Sequence, residues 1–539
     1  MEQVVNNTLN LWKEEGHQII PQNFEEFCKL VAQTGEFSRR GNYKMAAVYG
    51  QMAATHATGK SCGLFVSLEL ENILLEVGQK TVGNGFFRKN YSLDGSPQTI
   101  LHVATSMKTI GGHSRMLWRW IQQDKERVHS LVLTRQAPTE VPKLLRDSVF
   151  NSGGRIHLLN TRIGSLISWA KRLRKIAATA DLVVLHVNSS DIIPTLAFAR
   201  KENSPPVIFL DHADHLFWVG VGVSDVFASL RESGSHLAQE RRHIDPKRNI
   251  MLPVILEPTQ RTLSRVEAKR QLGIPEDSIL LLSIARAVKY RTIDGVSFAD
   301  AHIPLLKQFN QAILMVIGPG QQEDWSSAIQ QTQGRIQVFG ETEHTEVYYQ
   351  AADIYVDSFP FVSNTSLLEA GSYGVPLVSR YPYSSKSCGI LGADMPGLTG
   401  NLVQVPDLKT YTTVLSHLVK DAEFRRSLGE ATQRKIVETH QGAGWQDSLN
   451  HVYSQVSKMT RITIDKDTID VMFLGEPDIL MPHVHDIDIT PDKLIEWHIT
   501  LMPFGERLKY FFKLSQKKGF RNSPFNLLLP EWFRSHYYS

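Results

Sequence analysis

The run YQAADIYVDSFPFVSNTSLLEAGSYGVPLVSR, Tyr349 to Arg380, leaves a chain few ways to fold. A short apolar block, Ile354 to Val356, precedes a loop from Asp357 to Asn364 that holds Pro360. Helix-forming residues follow from Thr365 to Tyr373, then a second apolar block from Val375 to Ser379. Strand, loop, helix and strand in this order are the unit of a parallel sheet. Ser363, Asn364, Thr365 and Ser366 are good N-cap residues, and Glu369 lies on the first turns. A helix opened this way directs free backbone N–H groups and a positive dipole end into the loop. That suits a phosphate. Taken alone, the same run is equally an ordinary, well-capped β-α-β unit.

The alternation recurs on both sides of this stretch. Ile100 to Ala104 reads as a strand, followed by Gly111-Gly112-His113-Ser114 and an amphipathic helix with Leu117, Trp118 and Ile121. Ser130 to Leu133, Arg155 to Leu159, Leu182 to His186 and Val207 to Leu210 read as further strands, and Ser224 to Val226 as the one that closes a first sheet. Ile250 to Pro258 has the prolines of a stiff linker. A second set begins at Ile279 to Ala285 and continues through Ala312 to Ile317 and Ile336 to Phe339. The first strand of that set runs into Arg286-Ala287-Val288-Lys289-Tyr290-Arg291. In a parallel sheet, these three cations share an edge with the helix that opens at Asn364, where open α/β sheets bind ligands.

Composition narrows the class. At 539 residues the chain is too long for one core, and 42% hydrophobic with 21% charged residues is that of a soluble globular protein. A net charge of +3 gives no reason to invoke nucleic acid. Cys28, Cys62 and Cys388 are widely spaced, which reads as reduced thiols rather than a disulfide framework. The first residues lack a basic region followed by an apolar run, so no signal peptide is expected. No apolar stretch approaches the roughly 20 residues of a membrane helix. Asn23 to Glu76 has helical spacing and one segment faintly like a tetratricopeptide hairpin, without a second copy. Gly78 to Gln98 reads as a linker or loop. In the tail, Ile487-Asp488-Ile489 looks strand-like, and apolar Leu508 to Leu514 alternates with Arg507, Lys509, Lys513, Lys517 and Lys518. Such a helix either binds a membrane surface or packs its apolar side on its own protein, and the second is preferred.

The segment AADIYVDSFPFVSNTSLLEAGSYGVPLVS resembles the nucleotide-sugar site of GT-B glycosyltransferases, especially family 4 (group 1). The closest match is Leu367-Leu368-Glu369-Ala370 with Gly374-Val375-Pro376, and the FPF-x-S-N-T-S loop is closer to the protein O-glycosyltransferase branches. The resemblance implies two Rossmann-like parallel sheets facing a cleft. It gives Glu369 the nucleotide ribose hydroxyls and Asn364, Thr365 and Ser366 the diphosphate. It places Arg286 on that diphosphate, with Lys289 or Arg291 as the second cation, and counts Gly111 and Gly112, at the first helix near the cleft, among the donor- and diphosphate-binding residues. Phe361 stands where family 4 usually carries another Glu.

Val207 to Leu210 ends in Asp211-His212-Ala213-Asp214-His215. Three readings compete: a metal site, which lacks an obvious partner cluster; a hydrogen-bonded turn; and an active-site edge, which is favoured. The resemblance matches His212 to a histidine beside the donor sugar. Asp211, Asp214 and His215 are then candidates for general base or acceptor contact. Arg241-Arg242-His243 reads as a solvated face.

The expected organisation is a helical appendage (1–95), an acceptor-side Rossmann-like domain (96–256), a nucleotide-sugar domain (257–458) and an extension (459–539). The expected protein is a cytoplasmic, bacterial glycosyltransferase that moves a hexose-type sugar from a nucleotide-diphosphate sugar to a hydroxyl, with no metal and no other cofactor. Its acceptor is open among glycan, lipid-linked molecule and protein. Membrane contact is at most peripheral, and the N-terminal helices could meet a protein partner. Two rivals stay open: an epimerase or polymerase on the same scaffold, and an inactive sugar-nucleotide scaffold.

Overall fold

A computed structural model describes residues 2–83, 97–201, 204–293, 295–384, 389–460, 469–518 and 525–537. The chain divides into two compact units, one of residues 14–230, 234–252 and 449–539, the other of residues 1–13, 231–233 and 253–448.

The first unit is built on seven parallel strands: β1 (Thr99–Ala104), β2 (Val128–Leu133), β3 (Ile156–Leu158), β4 (Leu182–His186), β5 (Val207–Asp211), β6 (Val226–Ser229) and β7 (Asn249–Met251). Their order is β3-β2-β1-β4-β5-β6-β7, so the winding reverses between β1 and β4. The central strands β4, β5 and β6 are buried throughout, which is why they read as continuous apolar runs. The seventh strand lies at the start of the stretch expected to be a linker.

The second unit holds six parallel strands: β8 (Ile279–Ile284), β9 (Ala312–Gly318), β10 (Ile336–Gly340), β11 (Ile354–Val356), β12 (Leu377–Arg380) and β13 (Leu402–Val405). Here the order is β10-β9-β8-β11-β12-β13, and the reversal falls between β8 and β11. Two doubly wound parallel sheets with helices are the architecture of the GT-B class.

The N-terminal helices share the first sheet's core. Met45, Met52, Ala46, Ala53 and Ala57 of helix Tyr43–Gly59 are buried in one cluster with Val183, Leu185 and Leu196. Helix Leu68–Thr81 runs through Gly78, where a linker was expected. A Cβ there would lie 2.5 Å from the Cβ of Ala199 and 2.6 Å from the Leu196 carbonyl oxygen, so glycine is what lets the helix approach. The rest of the expected linker falls mostly outside the described residues. Glu71 of this helix is fully buried and accepts N–H groups of Gly220, Val221 (3.3 Å) and Gly222 (3.1 Å). Burial pushes its carboxyl up to about 7.

The tail joins the same core. Ile489, Leu494, Ile499, Leu501, Phe511, Leu514 and Leu527 are buried in it, with Phe511 and Leu514 on helix Phe504–Lys518. The basic helix therefore packs an apolar side on its own protein. Ile487 to Ile489 forms no strand. Its backbone is irregular, with the Ile487 N–H held by the Gly59 carbonyl. No helix among the described residues is long and apolar enough to cross a membrane.

Candidate functional site

In the second unit, chemistry-bearing residues gather at the carboxyl ends of β8 and β11, the reversal point where open α/β sheets take ligands. Beyond β8, Arg286 caps a single turn, Ala287–Lys289, and is exposed. Lys289 Nζ donates to the Val362 carbonyl at 2.8 Å and lies 4.8 Å from the Phe361 ring centre. Burial lowers its pKa, and Arg286 and Arg231 push the same way, while Asp357 opposes them. Arg291 bonds the loop through its backbone, its N–H reaching the Phe359 carbonyl at 3.4 Å. Lys289, one of the two candidates for second cation, sets its ammonium against the loop after β11.

That loop ends in helix Asn364–Ser372, one residue earlier than the sequence suggested. Ser363 occupies the N-cap position, with its hydroxyl donating to Ser366 Oγ at 3.1 Å. Asn364, Thr365 and Ser366 form the first turn, whose N–H groups have no partner within the helix. The Asn364 side-chain oxygen is buried without a hydrogen-bond partner. Glu369 is half-buried one turn on, and Tyr349 donates to its carboxylate at 3.2 Å.

Two residues missed in the sequence complete this region. Asp357 is fully buried and holds the loop's backbone. Arg231 is buried too, and its guanidinium donates to the carbonyls of Ile390 (2.9 Å) and Gly392 (2.6 Å). An aspartate directly after an apolar strand was a readable signal for the first. Nothing in the sequence linked Arg231 to the chain near 390.

In the first unit, Gly111 precedes helix Gly112–Gln123 with φ at +135°, a conformation only glycine adopts freely. His113, on the first turn, stacks on His212 with centroids 3.6 Å apart and planes 8° from parallel. His212 Nδ1 faces the Leu210 carbonyl at 3.3 Å, which fixes the proton there and leaves Nε2 as the accepting nitrogen. Burial pushes its pKa down to about 4, so the ring is neutral at pH 7. His215 pairs with Asp214 at 3.3 Å and stacks on His485 at 4.3 Å.

The two aspartates face inward. Asp211 is the last residue of β5 and lies 3.8 Å from Arg242, a fully buried guanidinium. Arg242 also donates to the carbonyls of Asp214 (2.6 Å), Leu216 (2.7 Å) and Phe65 (3.3 Å). Within the expected solvated face, Arg242 is therefore a buried anchor, while His243 is exposed. Arg241 makes a bidentate pair with Asp478 at 2.6 and 2.9 Å. Charge repeats look alike on a surface and in a core, and only the partner carboxylates, remote in sequence, tell them apart. Among the described residues no cluster has the arrangement of a metal site.

Beneath the cluster runs a ladder of histidines on one sheet face. His129 Nε2 meets the Asp124 carbonyl, His129 Nδ1 meets His102 Nε2, and His102 Nδ1 meets His186 Nε2, each at 2.9 Å. A carbonyl only accepts, so each Nε2 carries the hydrogen and each Nδ1 accepts. All three rings are buried, and His186 is held down to about 3 by burial and by His212.

The fold and this arrangement define a GT-B architecture with its polar residues at the second sheet's reversal point. Residues 264–435 match the family model described as "Glycosyl transferases group 1". The chain is 26% identical over 223 residues to the D-inositol 3-phosphate glycosyltransferase of Thermobifida fusca, covering 37% of this chain. It spans about half, 48%, of that relative's length. Among solved structures, Anabaena Alr3699/HepE in complex with UDP superposes with a TM-score of 0.51 at 11% identity, covering 66% of this chain and all of that one. A glycosyltransferase of Rickettsia africae gives 0.52 at 10%, covering 67% and 99%. The chain thus resembles the group 1 glycosyltransferases of the GT-B fold, as the donor-loop residues implied.

Proposed function

We propose that this protein transfers a sugar from a nucleotide-diphosphate donor to an acceptor hydroxyl. The observation that carries the reading is the contact between Lys289, with Arg286 in the same turn beyond β8, and the loop that opens helix Asn364–Ser372, inside the segment that matches group 1. Sugar transfer expels a nucleotide diphosphate. Fixed cations and helix N–H groups stabilise the charge that grows on it. Arg286, Lys289 and residues Asn364 to Ser366 take that role, and Glu369 holds the ribose hydroxyls. With the leaving-group charge met this way, the reaction needs no metal. The sugar is of hexose type, and the solved relative bound to UDP makes UDP the first nucleotide to try.

The cluster Asp211 to His215 serves the acceptor side. His212, neutral with a bare Nε2, is the general-base candidate, while Asp211 and Asp214 hold the cluster through Arg242. The protein works in the cytoplasm, on a glycan, lipid-linked or protein acceptor, with membrane contact no more than peripheral.

The test is a calorimetric screen of nucleoside diphosphates and nucleotide sugars, followed by donor turnover with and without EDTA. Weaker binding and slower turnover in Arg286→Ala and Lys289→Ala, with wild-type turnover insensitive to EDTA, are expected. Donor interconversion without an acceptor would instead indicate an epimerase, and binding without turnover across an acceptor panel an inactive scaffold.

A further inference from the structure

Asp357 follows the last residue of β11, at the sheet's reversal point, and none of it reaches solvent. One of its carboxylate oxygens accepts the N–H of Ser358 and the N–H of Ser363, each at 2.9 Å. The other accepts the Ser379 hydroxyl of β12 at 3.2 Å. A single oxygen therefore joins the first and last residues of the turn 358–363, and the last of them is the N-cap of the helix that opens at Asn364.

The backbone carbonyls between those two residues are accounted for one by one. The Phe359 carbonyl takes the Arg291 N–H, the Pro360 carbonyl takes the Tyr383 hydroxyl (3.0 Å), and the Phe361 carbonyl takes the Ser358 hydroxyl (2.8 Å). The Val362 carbonyl takes the Lys289 ammonium. A turn so fully engaged transmits a shift at one end to the other. Its two outputs are the direction of the helix N-terminus and the place of the Lys289 charge.

We propose that Asp357 is a positioning residue for the donor diphosphate, acting through the turn 358–363 on the helix N–H groups and on Lys289. This rests on the diphosphate reading above. Asp357 touches no ligand in this assignment. It preorganises the groups that do, so that little reorganisation is left for the moment of binding. Desolvation raises the pKa of Asp357 and lowers that of Lys289, while their mutual attraction and the N–H bonds to the carboxylate oppose this. An arriving diphosphate adds negative charge that favours the ammonium form of Lys289.

The experiment measures UDP affinity by calorimetry, and melting temperature, in Asp357→Ala, Asp357→Asn and Lys289→Ala. Asn keeps an oxygen that accepts both N–H groups, and Ala keeps none. Asp357→Ala is expected to lose at least tenfold in UDP affinity, and Asp357→Asn to stay within about threefold of wild type. A merely structural role would not give that rescue at equal melting temperature. Wild-type affinity in Asp357→Ala overturns the proposal. If Asp357→Ala does not fold, Asp357→Asn decides alone: near-normal binding supports the acceptor role, and a tenfold loss at normal melting temperature overturns it. Lys289→Ala separates the two layers. If it too binds UDP normally, the diphosphate reading falls; if it fails to bind while Asp357→Ala binds, only the positioning role falls.

Discussion

Replacing His186 by asparagine removes one titrating ring from the ladder while keeping an N–H donor on β4. In the folded protein His186 is held down to about 3, and an unfolded histidine titrates near 6.5. The unfolded chain therefore takes up the proton first. The neutral ring's contribution to stability is fully present above pH 6.5 and is lost as pH falls toward 3. Between pH 7 and pH 5 that loss amounts to about 2 kcal/mol for one such ring. Glu71, held up to about 7, works in the opposite direction, and so does any other carboxyl raised by burial. Those contributions are common to both proteins and cancel in the difference. Urea unfolding followed by tryptophan emission at the two pH values gives that difference. At pH 7 the variant should be weaker by about 1–3 kcal/mol, from the lost ring contacts and the shorter reach to His102. By pH 5 the gap should narrow by about 2 kcal/mol. Equal pH dependence in the two proteins would mean that His186 is not a neutral buried ring, and the derived tautomer chain would fall with it.

Other outcomes follow from the candidate site. Glu369→Ala should weaken UDP binding without lowering the melting temperature, because Tyr349 loses only one half-exposed partner; unchanged affinity removes Glu369 from the site. Arg286→Ala should lower turnover at least tenfold, the loss of about 1.4 kcal/mol of leaving-group stabilisation, with Lys289→Ala severe and Arg291→Ala mild. Three small and equal effects in a turnover assay would make these cations a surface feature. His212→Ala should keep UDP affinity and lose most transfer, whereas Asp211→Ala should lower thermal stability, by roughly 3 kcal/mol, since it strands a buried guanidinium. A stable Asp211→Ala with impaired transfer would return that carboxylate to the chemistry.

The sheets were legible because buried parallel strands are short, apolar and regularly spaced, and both reversal points fall where the glycines and cations lie. The helix at Asn364 was legible because capping is local chemistry. Arg242 and Asp211 were not, because their pairing joins β5 to a helix thirty positions on and looks like surface charge from either end. Asp357 shows an intermediate case. Its position after a strand is visible in the sequence, but its work depends on Ser363 and Ser379, which only the folded turn brings to one carboxylate. The ladder has the same character. His102, His129 and His186 each sit singly in an apolar strand and become a chain only through the register of β1, β2 and β4.

The first unit's core draws Phe27, Val48 and Val183 together with Ile489, Phe511 and Leu527. A ribosome releases residues 253–448 before it releases those last three. Every strand of the second sheet is then out of the exit tunnel while the first sheet still waits for part of its apolar cover. The order of emergence and the order of completion are thus inverted, with the earlier-made unit finishing last. Until residues 489–527 arrive, the nascent first unit presents uncovered apolar side chains to the cell, and that interval is when a holding chaperone has most to do.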